Sequence, residues 1–273
     1  MKKHNFMKPY TSFFKLRLKM GMQYRAAALA GLTTQFAWGF LEIFTFHAFY
    51  ETNPSSFPMS LQATVSYIWL QQAFLTLFAI WFMETEIIDS VSSGNIIYEL
   101  CRPLSIYQMW FFRNAAYRIS RALLRCVPVL LLAFFLPVGF RMEGISDVRN
   151  TAFFLISFLL AFLVTLAFST FVYVLLFFTI SPLGLRIMIT ALFDFFSGSV
   201  IPIPFFPQKI QQIMELLPFA SMQNVPFRIY NGNIAGSKII ISIELQIFLL
   251  LVFFIMGKLL CKKAEQNLVI QGG

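Results

Sequence analysis

The chain has 273 residues and a formal net charge of +9; 58% of it is apolar and only 12% charged, about half the charged share of a soluble domain. That little charge cannot cover the surface of a soluble fold of this length. Disorder, a disulfide scaffold and an ordinary cytosolic enzyme are excluded, and a polytopic, all-α membrane protein is expected.

Seven of the 21 basic residues precede Ala26: Lys2, Lys3, Lys8, Lys15, Arg17, Lys19 and Arg25. The stretch Lys8 to Arg25 is basic and aromatic, and we expect a helix lying on the inner headgroups. Lys15 to Met20 alternates with period 2, but a lone strand would leave its backbone edges unpaired. Plain positive-inside anchoring is the alternative role. No secretory signal fits, because the first apolar run is too long and no small-residue cleavage site follows it.

A helix needs about 20 apolar residues to cross a bilayer. Six runs qualify: Ala26 to Tyr50, Ala63 to Met83, Ile119 to Phe140, Thr151 to Ile180, Leu183 to Val200 and Ile239 to Leu260. The fourth and fifth are divided only by Ser181-Pro182. With both termini inside, sixteen basic residues flank the inner side and five the outer: Arg141, Arg149, Lys209, Arg228 and Lys238. That bias sets N-in, C-in. It is a topology signal and not a nucleic-acid face. Cys101, Cys126 and Cys261, an odd number expected near the inner side, argue against structural disulfides.

Two non-spanning regions remain. The first is the cytoplasmic segment Glu84 to Arg118. The second span should run on as helix through Glu84, Glu86 and Asp89, turn at Gly94, and give a short surface helix through Glu99 and Leu100. Arg102-Pro103 ends it, because Pro103 pushes Arg102 out of helical geometry. Ile96, Ile97 and Leu100 give this helix an apolar face, suited either to a cytosolic partner or to the bilayer surface.

The second is the external region Ile201 to Lys238. Gly198, Pro202 and Pro204 interrupt an apolar segment that begins beside Asp194. Irregular backbone at membrane depth is tolerated only inside protein or along a cavity. Pro207 opens a new helical stretch with Ile210, Ile213, Met214 and Leu217 at helical spacing, and Pro218-Phe219 follows. The expectation is a re-entrant pair of short helices between spans 5 and 6.

These residues resemble one family. Phe196-Ser197-Gly198 through Pro202, then Phe206-Pro207, Leu217-Pro218-Phe219, Pro226 and Tyr230-Asn231-Gly232 are similar to the signature region of type-2 ATP-binding-cassette (ABC-2) exporter permeases. Gly94 through Glu99-Leu100 and Pro103-Leu104-Ser105 is similar to that family's coupling element. The resemblance implies one permease domain over residues 1–273 of a multi-pass protein of the bacterial plasma (inner) membrane. It also implies a surface helix before six spans and an outer gate at Asp194, Gly198, Pro202, Pro207, Pro218 and Phe219. Glu84, Glu86, Gly94, Glu99, Leu100, Arg102 and Pro103 would couple to a separate ABC ATPase. ATP and Mg would bind that partner, and a second permease copy or a sister permease would complete the path. The chain itself would bind no cofactor directly, hold no metal, bind no nucleic acid and be no enzyme. In agreement, it has no G-x-x-x-x-G-K-[ST].

Ionisable groups inside spans are costly in lipid. Counting 1.5 Å per residue, Glu42 lies about 12 Å and Glu244 about 8 Å below the outer ends of their spans. With Asp194 and His47 they occupy the outer half. Glu42 and Glu244 either line an exit path for cations or pair structurally. Arg118, Arg121 and Arg125 form one stripe, suited to headgroup anchoring or to gripping an anionic lipid or substrate. The rival functions are an ion-coupled secondary transporter and, more weakly, an intramembrane enzyme. The first usually carries paired broken helices in both halves, and only one break occurs here. The second lacks G-x-S-x-G and a second acidic cluster.

Overall fold

The structure is a computed structural model describing residues 7–23, 25–52, 57–145 and 147–267. The first six residues and residue 24 of the expected interface segment, Lys2 and Lys3 among them, lie outside the described residues. Within those described, the chain is all-helical, with no strand. Its helices are α1 (Lys8–Gly21), α2 (Arg25–Thr52), α3 (Leu61–Phe78), α4 (Thr85–Ser92), α5 (Ile97–Leu100), α6 (Ile106–Phe135), α7 (Val148–Leu175), α8 (Pro182–Phe196), α9 (Gln208–Leu216), α10 (Pro218–Met222), α11 (Asn224–Tyr230) and α12 (Ser237–Asn267).

Among the described residues, two helical segments, Val148–Phe178 and Ser237–Gln266, are long and apolar enough to cross a membrane. An all-helical chain with two such helices fits an integral membrane protein. The surface agrees. Large apolar side chains stand exposed on α2 (Trp38, Leu41, Phe44), α8 (Ile187, Met188, Phe195) and α12 (Phe248, Leu251, Leu259). Apolar surface on that scale suits lipid and not water.

The helix starts follow local chemistry. Ser60 Oγ accepts from Ala63 N at 3.1 Å to open α3, and Asp147 accepts from Arg149 N at 3.0 Å to open α7. Ser181 accepts from Gly184 N at 3.1 Å, with Pro182 in the first turn of α8. The broadest packing joins α7 to α12, and α6 to both α1 and α3. One buried cluster gathers Tyr10, Ile80, Trp110, Val172 and Tyr173. Another gathers Ile43, Tyr67, Trp69, Phe78 and Phe227.

Two sequence expectations change. The second apolar run does not continue as helix through Glu84: α3 stops at Phe78, Ala79 is extended, and helix resumes only at Thr85. The segment expected as loop up to Arg118 is helical from Ile106, so α6 carries Arg113, Arg118 and the third apolar run on one rod.

The first change has a visible partner on α6. Arg118 is fully buried rather than set at a headgroup. Its Nη1 donates to the carbonyls of Leu77 at 3.0 Å and Ala79 at 2.9 Å, which the end of α3 leaves open. Its Nε donates to Asn114 Oδ1 at 3.0 Å, and Asn114 Nδ2 donates to Ser169 Oγ on α7 at 2.7 Å. Helices α3, α6 and α7 meet on this guanidinium. Arg118→Met should therefore leave two buried carbonyls unpaired and destabilise the protein by about 2–4 kcal/mol, measured by denaturant titration of the helical circular-dichroism signal in detergent.

Candidate functional site

Polar assemblies occupy two places, one beyond the C-terminal end of α3 and one along its N-terminal half. The first is built on Arg113 of α6, which is buried. Its Nε lies 2.8 Å from Glu84 Oε1, its Nη2 donates to Glu86, and its Nη1 donates to Glu99 Oε1 at 3.3 Å. Glu99 Oε2 also accepts from Trp110 Nε1 at 2.7 Å. Arg17 of α1 reaches the same acids, 3.0 Å from Glu86 and 3.5 Å from Glu84. The backbone N–H of Glu84 donates to the Tyr173 hydroxyl at 2.6 Å. Tyr10 Oη accepts from Ser105 N at 3.0 Å, fixing α1 to the start of α6.

Three of the seven residues expected to couple to a partner, Glu84, Glu86 and Glu99, thus converge on one guanidinium. Glu84 and Glu99 are largely shielded and Glu86 is exposed, but each is ion-paired. Leu100 packs against the buried cluster around Trp110. Gly94, Arg102 and Pro103 stay exposed, as does Tyr98. Gly94 turns the chain with φ +77° and open space around it, so only its backbone angle requires glycine. Arg113 and Arg17 escaped sequence reasoning because both read as inner-face charge. Their partners are 69 residues away for Arg17–Glu86 and 27 for Arg113–Glu86.

The two adjacent acids differ in environment. Burial pushes the Glu84 carboxyl above its usual range, against the pull of Arg113 and Arg17. Glu84 Oε2 has no hydrogen-bond partner among the described residues. Slight burial lifts Glu86, but the hydrogen bond from Arg17 and the charges of Arg113 and Arg17 outweigh it and hold Glu86 below its usual range.

The second assembly holds the segment after α8 to α3. Gly198 has φ +76°, and a Cβ there would fall 2.7 Å from Asn224 Nδ2 and 2.9 Å from Tyr67 Oη. Tyr67 Oη donates to the Gly198 carbonyl at 3.1 Å and accepts from Asn224 Nδ2 at 3.0 Å. Gln71 Nε2 donates to the Ser199 carbonyl. Asn231 Nδ2 donates to the Ala63 carbonyl at 2.8 Å. Arg228 ties α11 to α9 through Glu215 and also bonds Asn233 at 2.8 Å. Tyr67, Gln71, Asn224 and Arg228 carry this assembly, and the sequence pattern did not single them out for it.

The expected gate residues fall around this assembly. Asp194, near the end of α8, is partly buried, and its backbone carbonyl accepts from Ser199 Oγ at 3.0 Å. Pro202 precedes a single 3-10 turn, Pro207 caps α9, and Pro218 begins α10. Phe219 packs against Phe168, Phe193 and Phe196, with ring centroids 5.5, 6.4 and 6.3 Å away. The expected path acids are not brought together. Glu42 of α2 lies beside Gln72 of α3, while Glu244 is exposed on α12. His47 Nε2 donates to the Gly139 carbonyl at 2.9 Å, and its ring stacks on Phe140.

Gly198→Ala should cost about 1–3 kcal/mol, from the left-handed backbone plus the contact with Asn224 and Tyr67, read as a lower melting temperature in detergent. The two acids should give opposite pH signs. Glu86 stabilises above its unfolded-state pKa, and that stability is lost as pH falls through its lower folded value. For Glu84 the favourable contribution is present below its unfolded-state pKa and is lost as pH rises through its raised folded value. From about pH 4 to neutral, wild type should gain stability relative to Glu86→Gln and lose it relative to Glu84→Gln, in thermal melts at matched ionic strength.

Compared with protein-family models, curated proteins and solved structures, the chain matches none.

Proposed function

We propose that the chain is the membrane-spanning permease subunit of an ATP-driven exporter of the type-2 ATP-binding-cassette class. In this reading it crosses a bacterial plasma membrane six times with both termini inside, and α1 lies along the inner headgroups. The short helices α9 and α10 dip back from the outer surface between the last two spans. A separate ABC ATPase binds ATP and Mg, and a second permease, identical or sister, completes the substrate path.

The observation that carries this reading is the connection behind the Gly94–Pro103 surface. Tyr98, Arg102 and Pro103 are exposed, yet Glu99 between them bonds directly to Trp110 and Arg113 of α6. A force on this surface passes through Glu99 to α6. Through Glu84 it reaches Tyr173 on α7, and through Arg17 it reaches α1. One guanidinium thus joins the exposed segment to the helices that would have to move. A docking surface without mechanical work to do has no need of that connection. The outer assembly fits the other half of such a cycle. The break at Gly198 is held to α3 by a few hydrogen bonds, and these can exchange partners without unfolding a helix.

Affinity purification of the full chain from its native membrane should recover an ABC ATPase. In that complex Glu99→Gln and Arg102→Ala should leave the ATPase bound but reduce the permease-dependent ATP hydrolysis by about fivefold or more. Substrate movement by this chain alone in liposomes, on an ion gradient and without ATP, would overturn the proposal in favour of a secondary transporter.

A further inference from the structure

A cavity of about 270 Å³ lies beside the Arg113 cluster, between α1, the start of α2 and α6. Four arginines line it, Arg17, Arg113, Arg121 and Arg125, against two acids, Glu84 and Glu86. Both acids are held by Arg17 and Arg113. Even with Glu99 behind Arg113, the local balance stays positive. Arg121 Cζ sits 4.1 Å from the centroid of the Tyr117 ring, a cation–π contact that holds its guanidinium at the cavity wall. Arg125 packs on Gly31 of α2, so close that a Cβ at that position would lie 2.3 Å from its Cζ. Arg121 and Arg125 are one turn apart on one face of α6, and both line the cavity.

The rest of the wall is mixed, with Thr85, Tyr117 and Ser120 on one part and apolar groups on another. Leu124 and Ala28 line the cavity. On the α6 wheel, at 100° per residue, Leu124 lies between the Arg121–Arg125 edge and the exposed ridge of Leu123, Val127 and Leu131. A basic end therefore runs into a strip of exposed hydrocarbon. The volume is below the roughly 300–1,000 Å³ of sites that enclose a drug-sized ligand. It suits a headgroup whose remaining mass leaves along the helix.

We infer that this cavity is a binding site for the phosphate of an anionic phospholipid, with Arg121 and Arg125 gripping the phosphodiester and the acyl chains lying along Leu124 and the α6 ridge. The inference goes beyond the exporter reading and does not require it. The amphiphilic shape selects the lipid over free phosphate: an inorganic anion would use the arginines but gain nothing from the hydrocarbon strip beside them. The site gives a specific role to two arginines that topology counting treats as anchors.

The test uses the full chain in neutral detergent, titrated with dioleoyl phosphatidylglycerol, dioleoyl phosphatidylcholine or inorganic phosphate, with bound lipid counted by native mass spectrometry. Phosphatidylglycerol should bind wild type in preference to phosphatidylcholine. The variant Arg121→Gln/Arg125→Gln should weaken it by about tenfold or more, and Arg141→Gln, an exposed arginine elsewhere, should not. Phosphate in excess should compete only weakly. Equal phosphatidylglycerol binding in wild type and the double variant would overturn the proposal, as would no preference over phosphatidylcholine. Complete displacement by inorganic phosphate would assign the site to a free anion and overturn the lipid. Circular dichroism and size exclusion check folding. If the double variant loses its helices, Arg121→Gln and Leu124→Glu separately carry the same comparison, because each removes one half of the site.

Discussion

The open end of α3 is the constraint on which the assembly around Arg113 depends. A helix that stops inside a packed protein leaves carbonyls facing a medium without water, and each must find a donor. Arg118 supplies it from a neighbouring helix. With those carbonyls satisfied, the chain can leave α3 in extended form through Ala79 and bring Glu84 beneath Arg113. Remove the donor and the break loses its reason to sit at Phe78, and with it the placement of every acid that follows. A buried arginine ordinarily weakens a core unless its hydrogen bonds are met. Here Nε and Nη1 bond to an asparagine and to backbone oxygens, so the group does the work of a helix cap delivered from outside the helix, while Nη2 is buried with no hydrogen-bond partner among the described residues.

The two assemblies follow one plan. Each joins an irregular stretch of backbone to a long helix through side chains that the helix already buries. At one, Arg113 and Arg118 of α6 receive the segment after α3. At the other, Tyr67 and Gln71 of α3 receive the segment after α8. Between them α3 is nearly all buried, which explains how a helix with Gln71, Gln72, Thr64 and Thr76 can be central to the fold. Of its polar groups, Tyr67 and Gln71 are the fittings to which the break after α8 attaches.

The long apolar helices were legible in the sequence, because an uninterrupted run that length has few other uses. The turns at Gly94 and Gly198 were legible too, since each combines a glycine with flanking residues that resist helix. The ends of helices were not. Arg113, Asn114 and Arg118 have the composition of a loop, and only their pairing makes them interior. Pairing between residues far apart in sequence leaves no local trace. For the same reason the ion pairs of Glu84, Glu86 and Glu99 with Arg113 left no trace in the sequence. Tyr67 and Asn224 left no signal in periodicity, because a buried tyrosine or asparagine resembles any other core position until its neighbour is known.

The bend that follows α5 also places Cys101 at the surface, beside Arg102 and Pro103, while Cys126 is partly shielded and Cys261 is buried. Thiol reactivity depends on access as well as on ionisation. The three sulfurs should therefore alkylate at well-separated rates, with Cys101 first. A body that covers the Gly94–Pro103 surface slows that first reaction and leaves the other two as internal references. The native sequence thus contains a chemical reporter at the place where an encounter would occur, and occupancy of that surface can be followed in whole membranes without altering a single residue.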